Sequence, residues 1–200
     1  MCFDTLLRPG ALVALRTEDV IPGSSTLKIY SATTIVVSPF ARGHASKTGK
    51  FNLSVVLNTR HRKWLSSVLL DHRSTRPTKS SLFTLGQDSW RKAFLQAATD
   101  LNLAIPTLYV LRHGGASDAY LTGARTIEDI KKRGHWMSDK SVRRYEQAGW
   151  ARQMVNNWPM PLRRHLELCH KCVEKVMLRQ LIAPAFRKLV IEPRKRQKIR

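Results

Sequence analysis

Residues 111–145 read LRHGGASDAYLTGARTIEDIKKRGHWMSDKSVRRY, and the reading of the fold works outward from them. Helical spacing runs through Leu108, Leu111, Ala116, Ala119 and Tyr120, with Pro106-Thr107 as an opening and Gly123 as a stop. Thr126 with Glu128 and Asp129 marks the start of a second helix, ending near Gly134, and Ser138-Asp139 begins a third that carries Val142 and Tyr145. The segment opens on Arg112-His113-Gly114-Gly115 and closes on Tyr145, preceded by Arg143 and Arg144. A phenol that titrates near ~10 is a poor acid or base at neutral pH. Among arginines it suits another task. The cations neutralise a phosphodiester, and the phenol attacks phosphorus to leave a covalent phosphotyrosine.

Upstream, residues 9–19 place Leu12 and Leu15 on one face of an expected helix, with Pro9 acceptable near its start. Leu27–Tyr30, Thr33–Val37 and Leu53–Leu57 read as three short strands, with the basic turn ARGHASKTGK (41–50) before the last. Trp64, Val68 and Leu69 mark a helix, and RSTRPTKSS (73–81) is a polar loop. Asp88-Ser89 is placed to cap a helix through Trp90, Phe94, Ala97 and Leu101. The expected fold is α+β and mainly helical, with a small three-stranded antiparallel sheet. The texture changes at Asn157, where Trp158-Pro159-Met160-Pro161 makes a break before a helical run to about Ile182. The division expected is a domain over 1–155 and a helical extension with a basic tail over 156–200.

Lys and Arg number 35 against 14 Asp and Glu, a formal net charge of +21. So large an excess favours a polyanionic partner, most often nucleic acid, through counterion release at phosphates. A ribosomal-type structural binder would carry the same charge. From Arg163 onward 12 Lys or Arg stand against three Glu; such a tail is a solvated segment, a grip on DNA backbone or a nuclear-import signal. Cys2, Cys169 and Cys172 make no disulfide framework, which fits a reducing compartment. No run of about 18 apolar residues suggests a membrane span, and the N-terminus lacks the pattern of a signal peptide. Cys169 and Cys172 with His165 and His170 look like half a zinc site without a second ligand pair. No metal is expected. Nor is a cofactor, since no Walker loop, dinucleotide loop or Ser/His/Asp elbow stands out.

Attack by tyrosine on a phosphodiester needs donors for the non-bridging oxygens, an acceptor for the phenol proton and a donor for the leaving oxygen. With these in order along the chain, the sequence resembles the tyrosine recombinases of the phage-integrase family, and among them the divergent eukaryotic, transposon-like members. The resemblance covers roughly residues 3–150. Thr5-Leu6-Leu7-Arg8, with Leu12, Leu15 and Asp19, follows the box of the family's first arginine, with Ala11 where an acidic residue is common. Ser46-Lys47-Thr48-Gly49-Lys50 fills the turn of the family's lysine, with Lys47 as first choice of general acid and Lys50 beside it. Tyr109-Val110-Leu111-Arg112-His113 matches the box of the second arginine, and Tyr109 replaces its usual first histidine. Trp136 stands nine residues before Tyr145, at the family's last His-or-Trp site, with His135 as adjacent support. Tyr145 takes the place of the nucleophile.

Taken singly, each of these is an ordinary surface charge or rim aromatic; their order makes the resemblance. It implies a DNA breaking and rejoining enzyme that needs no metal, acting on double-stranded DNA through a 3′-phosphotyrosyl link in a synaptic tetramer. Arg8 and Arg112 would hold the phosphate and Lys47 would protonate the leaving oxygen. His113, His135 and Trp136 would orient and support. The family's upstream clamp domain is expected to lie outside these 200 residues. The basic tail implies the nucleus in a eukaryote, and otherwise the cytoplasm or nucleoid. Two further readings stay open: a catalytically degenerate DNA-binding remnant of a mobile element, and a type IB topoisomerase-like enzyme that relaxes DNA without a partner site.

Overall fold

The structure, a computed structural model, describes residues 1–43, 49, 50, 52–103, 107–143, 145, 153 and 155–181. Its sheet has three antiparallel strands in the order β1 (Val20–Ile21), β2 (Thr34–Val37) and β3 (Leu53–Val56). Val20 pairs with Ile35 and Ile35 with Val55. Directly opposed residues share a face, so these three side chains line up across the sheet, and all three are buried. Val56, one position on, is exposed.

The expected first strand is corrected. Lys28–Tyr30 forms a short 3-10 turn, and Val20–Ile21 supplies the edge instead. The reason is local. The Ser24 hydroxyl accepts from the backbone N–H groups of Thr26 and Leu27, which turns the chain away from an extended course. Leu27 and Ile29 are left exposed.

Among the described residues, the helices with defined bounds are α1 (Cys2–Thr5), α2 (Pro9–Val13), α3 (Trp64–Ser74), α4 (Gln87–Asp100), α5 (Tyr109–Leu121), α6 (Ile127–Gly134), α7 (Lys140–Arg143) and α8 (Met160–Met177). The helix expected to run to residue 19 stops at Val13. Beyond it the Leu15 carbonyl accepts from Leu82 N–H at 2.8 Å, and Thr17 N–H donates to the Ser80 carbonyl at 3.0 Å. Those bonds tie Leu15 and Thr17 to the 80–82 segment. Helix α4 is capped by Gly86, and Asp88 lies in its first turn rather than at the cap. Helix α6 starts as its residues dictate: the Thr126 hydroxyl accepts from Asp129 N–H while the Asp129 carboxylate accepts from Thr126 N–H. The tail over 187–200 lies outside the described residues.

Two apolar clusters organise the chain. The first packs Leu7, Leu12, Leu15, Leu65, Leu69 and Leu82 against the buried face of the sheet. The second gathers Leu6, Ala116, Ile130, Val142 and Tyr145. Leu6 and Leu7 are neighbours in sequence yet enter different clusters, because Leu6 turns the chain at φ 56°. Each such leucine, once buried, stabilises by roughly 1.5–3 kcal/mol, so the turn is anchored on both sides. It delivers Arg8 to the N-terminus of α2.

Helix α1 meets α5 at very short range. A Cβ on Gly115 would lie 1.8 Å from the Phe3 carbonyl oxygen, so only glycine fits there. Arg62 fastens the same junction from outside. Its Nη1 donates to Asp4 at 2.7 Å, its Nη2 donates to Asp118 at 2.9 Å, and its guanidinium lies 4.5 Å over the Phe3 ring.

Candidate active site

Helix α5 places Tyr109, Arg112 and His113 at spacings of three and four, hence along one side. Arg112 is only 2% exposed. Its Nη2 donates to the Gly134 carbonyl at 2.6 Å, and its guanidinium lies 4.2 Å from the centre of the Trp136 ring. Burial, and next the like charge of Arg8, lower its pKa to about 10, which leaves it cationic at neutral pH. Among the described residues it has no carboxylate partner, and its Nε has no hydrogen-bond partner. A buried, uncompensated cation with a spare donor is poised to receive an anion.

Arg8 caps α2 through its backbone. It lines a cavity of about 460 Å³ together with Arg112, His135, Tyr109, Gln87 and Ser38. Two arginines and one histidine therefore line the cavity. His135 closes α6 at φ 54°, with its N–H donating to the Lys132 carbonyl at 3.1 Å. Its pKa is lowered, first by burial and then by Arg112, Arg8 and Lys50, so the ring is neutral at pH 7. Its Nε2 is buried with no partner among the described residues.

The order Gly-His-Trp at 134–136 has a steric cause. A Cβ on Gly134 would sit 1.9 Å from the Trp136 ring, so glycine makes the space in which the indole packs. His135 takes the left-handed turn, and Trp136 comes to rest under Arg112. His135 thus occupies the cavity wall. Trp136 lies with its ring against the Arg112 guanidinium.

Tyr145 is 3% exposed and belongs to the second apolar cluster. Its hydroxyl is 2.6 Å from His113 Nδ1. Its ring centre is 5.5 Å from Trp136 and 5.9 Å from His113, which in turn is 5.9 Å from Tyr109. The four rings thus contact one another in sequence, and Trp136 at their end lies against Arg112. Tyr145 is not among the residues lining the cavity. Lys47 lies outside the described residues. Lys50 borders a second hollow, of about 330 Å³, with His135 and Trp136.

Of the residues singled out in the sequence, Arg8, Arg112 and His135 converge on one cavity, and His113, Trp136 and Tyr145 stand together beside it. Gln87 and Ser38 on the cavity wall carried no signal for this chemistry in the sequence, Gln87 standing only beside the expected cap at Asp88-Ser89. On α8 the Cys169 sulfur lies 3.4 Å from His165 Nε2, and no group of three metal-ligating side chains occurs among the described residues. No helix among them is long and apolar enough to cross a membrane. Compared with models of known protein families and with curated proteins, the chain matches none.

Proposed function

We propose that the chain is the catalytic part of a tyrosine-recombinase-like enzyme that cleaves and rejoins double-stranded DNA through a 3′-phosphotyrosyl link. The observation that carries this reading is the convergence of Arg8, Arg112 and neutral His135 on one cavity, beside a tyrosine hydroxyl already bonded to a histidine. The scissile phosphate would sit between the two guanidiniums, whose donors offset the charge that builds on its non-bridging oxygens. Tyr145 Oη then attacks phosphorus as its proton passes to His113 Nδ1, with that ring protonated at Nε2 beforehand. The Tyr–O–P bond forms and the P–O5′ bond breaks. The leaving 5′ oxygen takes a proton from Lys47 or Lys50. Because the new ester retains the energy of the old one, rejoining needs no nucleotide.

Tyr145 must leave its buried position to reach the phosphate, so attack requires the segment carrying it to shift. The same burial favours a second reading, in which the fold binds DNA and no longer cuts it. Synapsis of two duplexes in a tetramer, and nuclear residence, belong to the first reading.

A trapping assay separates the two. The chain and its Tyr145→Phe variant are incubated with nicked or phosphorothiolate DNA and resolved on a denaturing gel. An adduct that vanishes in the variant supports phosphotyrosine chemistry. Salt-sensitive binding with no adduct from either protein refutes it and leaves the binding reading.

A further inference from the structure

A further basic hollow, of about 490 Å³, opens where α1, α5 and the segment after β3 meet. It shares no lining residue with the Arg8–Arg112 cavity. Arg60, Arg62, Arg125 and Arg133 line it, against Asp4 and Asp118. Both carboxylates are already engaged by Arg62. The other arginines form no ion pair among the described residues.

Two of those arginines are drawn to the same neutral acceptor. Arg125 Nη2 donates to Asn58 Oδ1 at 2.6 Å, and Arg133 Nη1 reaches the same oxygen at 3.4 Å. Arg133 is held rigidly, with Nε donating to the Asp4 carbonyl at 2.9 Å and Nη1 to the Val56 carbonyl at 2.8 Å. Its remaining nitrogen, Nη2, is buried with no partner among the described residues. Burial, and next the charge of Arg125, lower the Arg133 pKa to about 10. Two like charges held together around one amide oxygen repel, and a buried donor left unpaired is destabilising. An anion between them would relieve both penalties.

We infer that this hollow is a second phosphate seat, built on Arg125 and Arg133, that takes one backbone phosphate of the bound nucleic acid. A phosphate suits it better than a carboxylate, because guanidinium forks approaching from two elements can each meet a different oxygen. The seat rests on the nucleic-acid reading but not on cleavage, since Tyr145 lines no part of it. It would fix the register of the duplex while the Arg8–Arg112 cavity holds the phosphate to be cut. Contacts of this kind position and carry no base sequence.

The test is the salt dependence of binding to a random-sequence duplex, followed by fluorescence anisotropy. Each phosphate contact contributes about −0.9 to the slope of log K against log salt. Arg125→Gln and Arg133→Gln should each lower the slope by about 1, while Arg91→Gln, on exposed α4, should not. If Arg133→Gln fails to fold, Arg125→Gln carries the test. A slope for Arg125→Gln equal to that of the parent overturns the inference, as does a chain that binds no duplex at all. Titration with inorganic phosphate separates the sources. Arg125-dependent binding of free phosphate without any change in the DNA slope would assign the hollow to a small phosphate compound and refute the nucleic-acid seat. Loss of the Tyr145 adduct with the slope effects intact would sink cleavage alone.

Discussion

Gly114 and Gly115 are adjacent on α5, and substituting each by alanine should have opposite effects. In a helix interior, glycine to alanine stabilises by about 0.5–1 kcal/mol, through lower chain entropy in the unfolded state. Both substitutions share that gain. A Cβ on Gly114 would meet the Phe3 ring at 3.6 Å, an ordinary contact. A Cβ on Gly115 would lie 1.8 Å from the Phe3 carbonyl oxygen and 2.7 Å from its carbon, and backbone cannot rotate aside as a side chain can. Helix α1 would have to retreat from α5 by well over an ångström. The retreat loosens Leu6 from the second apolar cluster and pulls Asp4 away from Arg62. Overpacking of this kind costs typically about 1–3 kcal/mol, and the lost contacts raise it. A net loss of about 2 kcal/mol for Gly115→Ala corresponds to a Tm lower by about 4–8 °C in a chain of this size. Gly114→Ala should melt at or slightly above the parent temperature. Thermal unfolding followed by circular dichroism reads both. If the two variants shift Tm together, or if Gly115→Ala stays within about 1 °C of the parent, the close approach of α1 to α5 is wrong, and with it the placement of Arg8 near Arg112.

His135 supplies a pH signature. Its folded pKa lies below the ordinary 6.5, so between the two values the unfolded chain binds the extra proton. The stability it contributes is complete above 6.5 and is lost as pH falls through that value toward the folded pKa. His135→Asn keeps a residue that tolerates the left-handed turn and cannot titrate. Urea midpoints measured from pH 7.5 down to about 5 should fall more steeply for the parent than for the variant; parallel curves would contradict the buried, cation-flanked site. Gly134→Ala drives a Cβ into the Trp136 ring at 1.9 Å. It should cost about 1–3 kcal/mol and change the indole emission, and an unaltered spectrum would show that Trp136 does not pack there.

What the sequence disclosed depended on how local the cause was. The Thr126–Asp129 cap was legible because all its partners lie within four residues. The helix at 64–74 was legible from its apolar spacing and that at 127–134 from its Thr126 start; spacing also gave the helix at 109–121, but not its buried positions Arg112 and Gly115. The early end of α2 was not, since the 80–82 segment that takes the Leu15 and Thr17 backbone bonds lies more than sixty residues away. Leu27–Tyr30 misled because β-rich side chains say nothing about whether a sheet edge is within reach. At the site, the order of arginines, glycines and Tyr145 could be read, but the division of labour between His135 and Trp136 could not. That division turns on a left-handed φ at His135 and on the space that Gly134 leaves for a ring. The Arg62 and Arg133 networks join residues at least 56 positions apart, and no spacing rule reaches so far.

Arg112 meets the fold and the cavity with the same guanidinium: Nη2 and the stacked face hold α6, while Nε is left over. Selection therefore cannot tune the two separately. In a mutational scan scored both for cellular abundance and for activity, every replacement at 112 should fall on the diagonal, poor in each. Arg8, whose side chain makes no hydrogen bond or ion pair among the described residues and so ties down no other element there, should drop off that diagonal, abundant but inert.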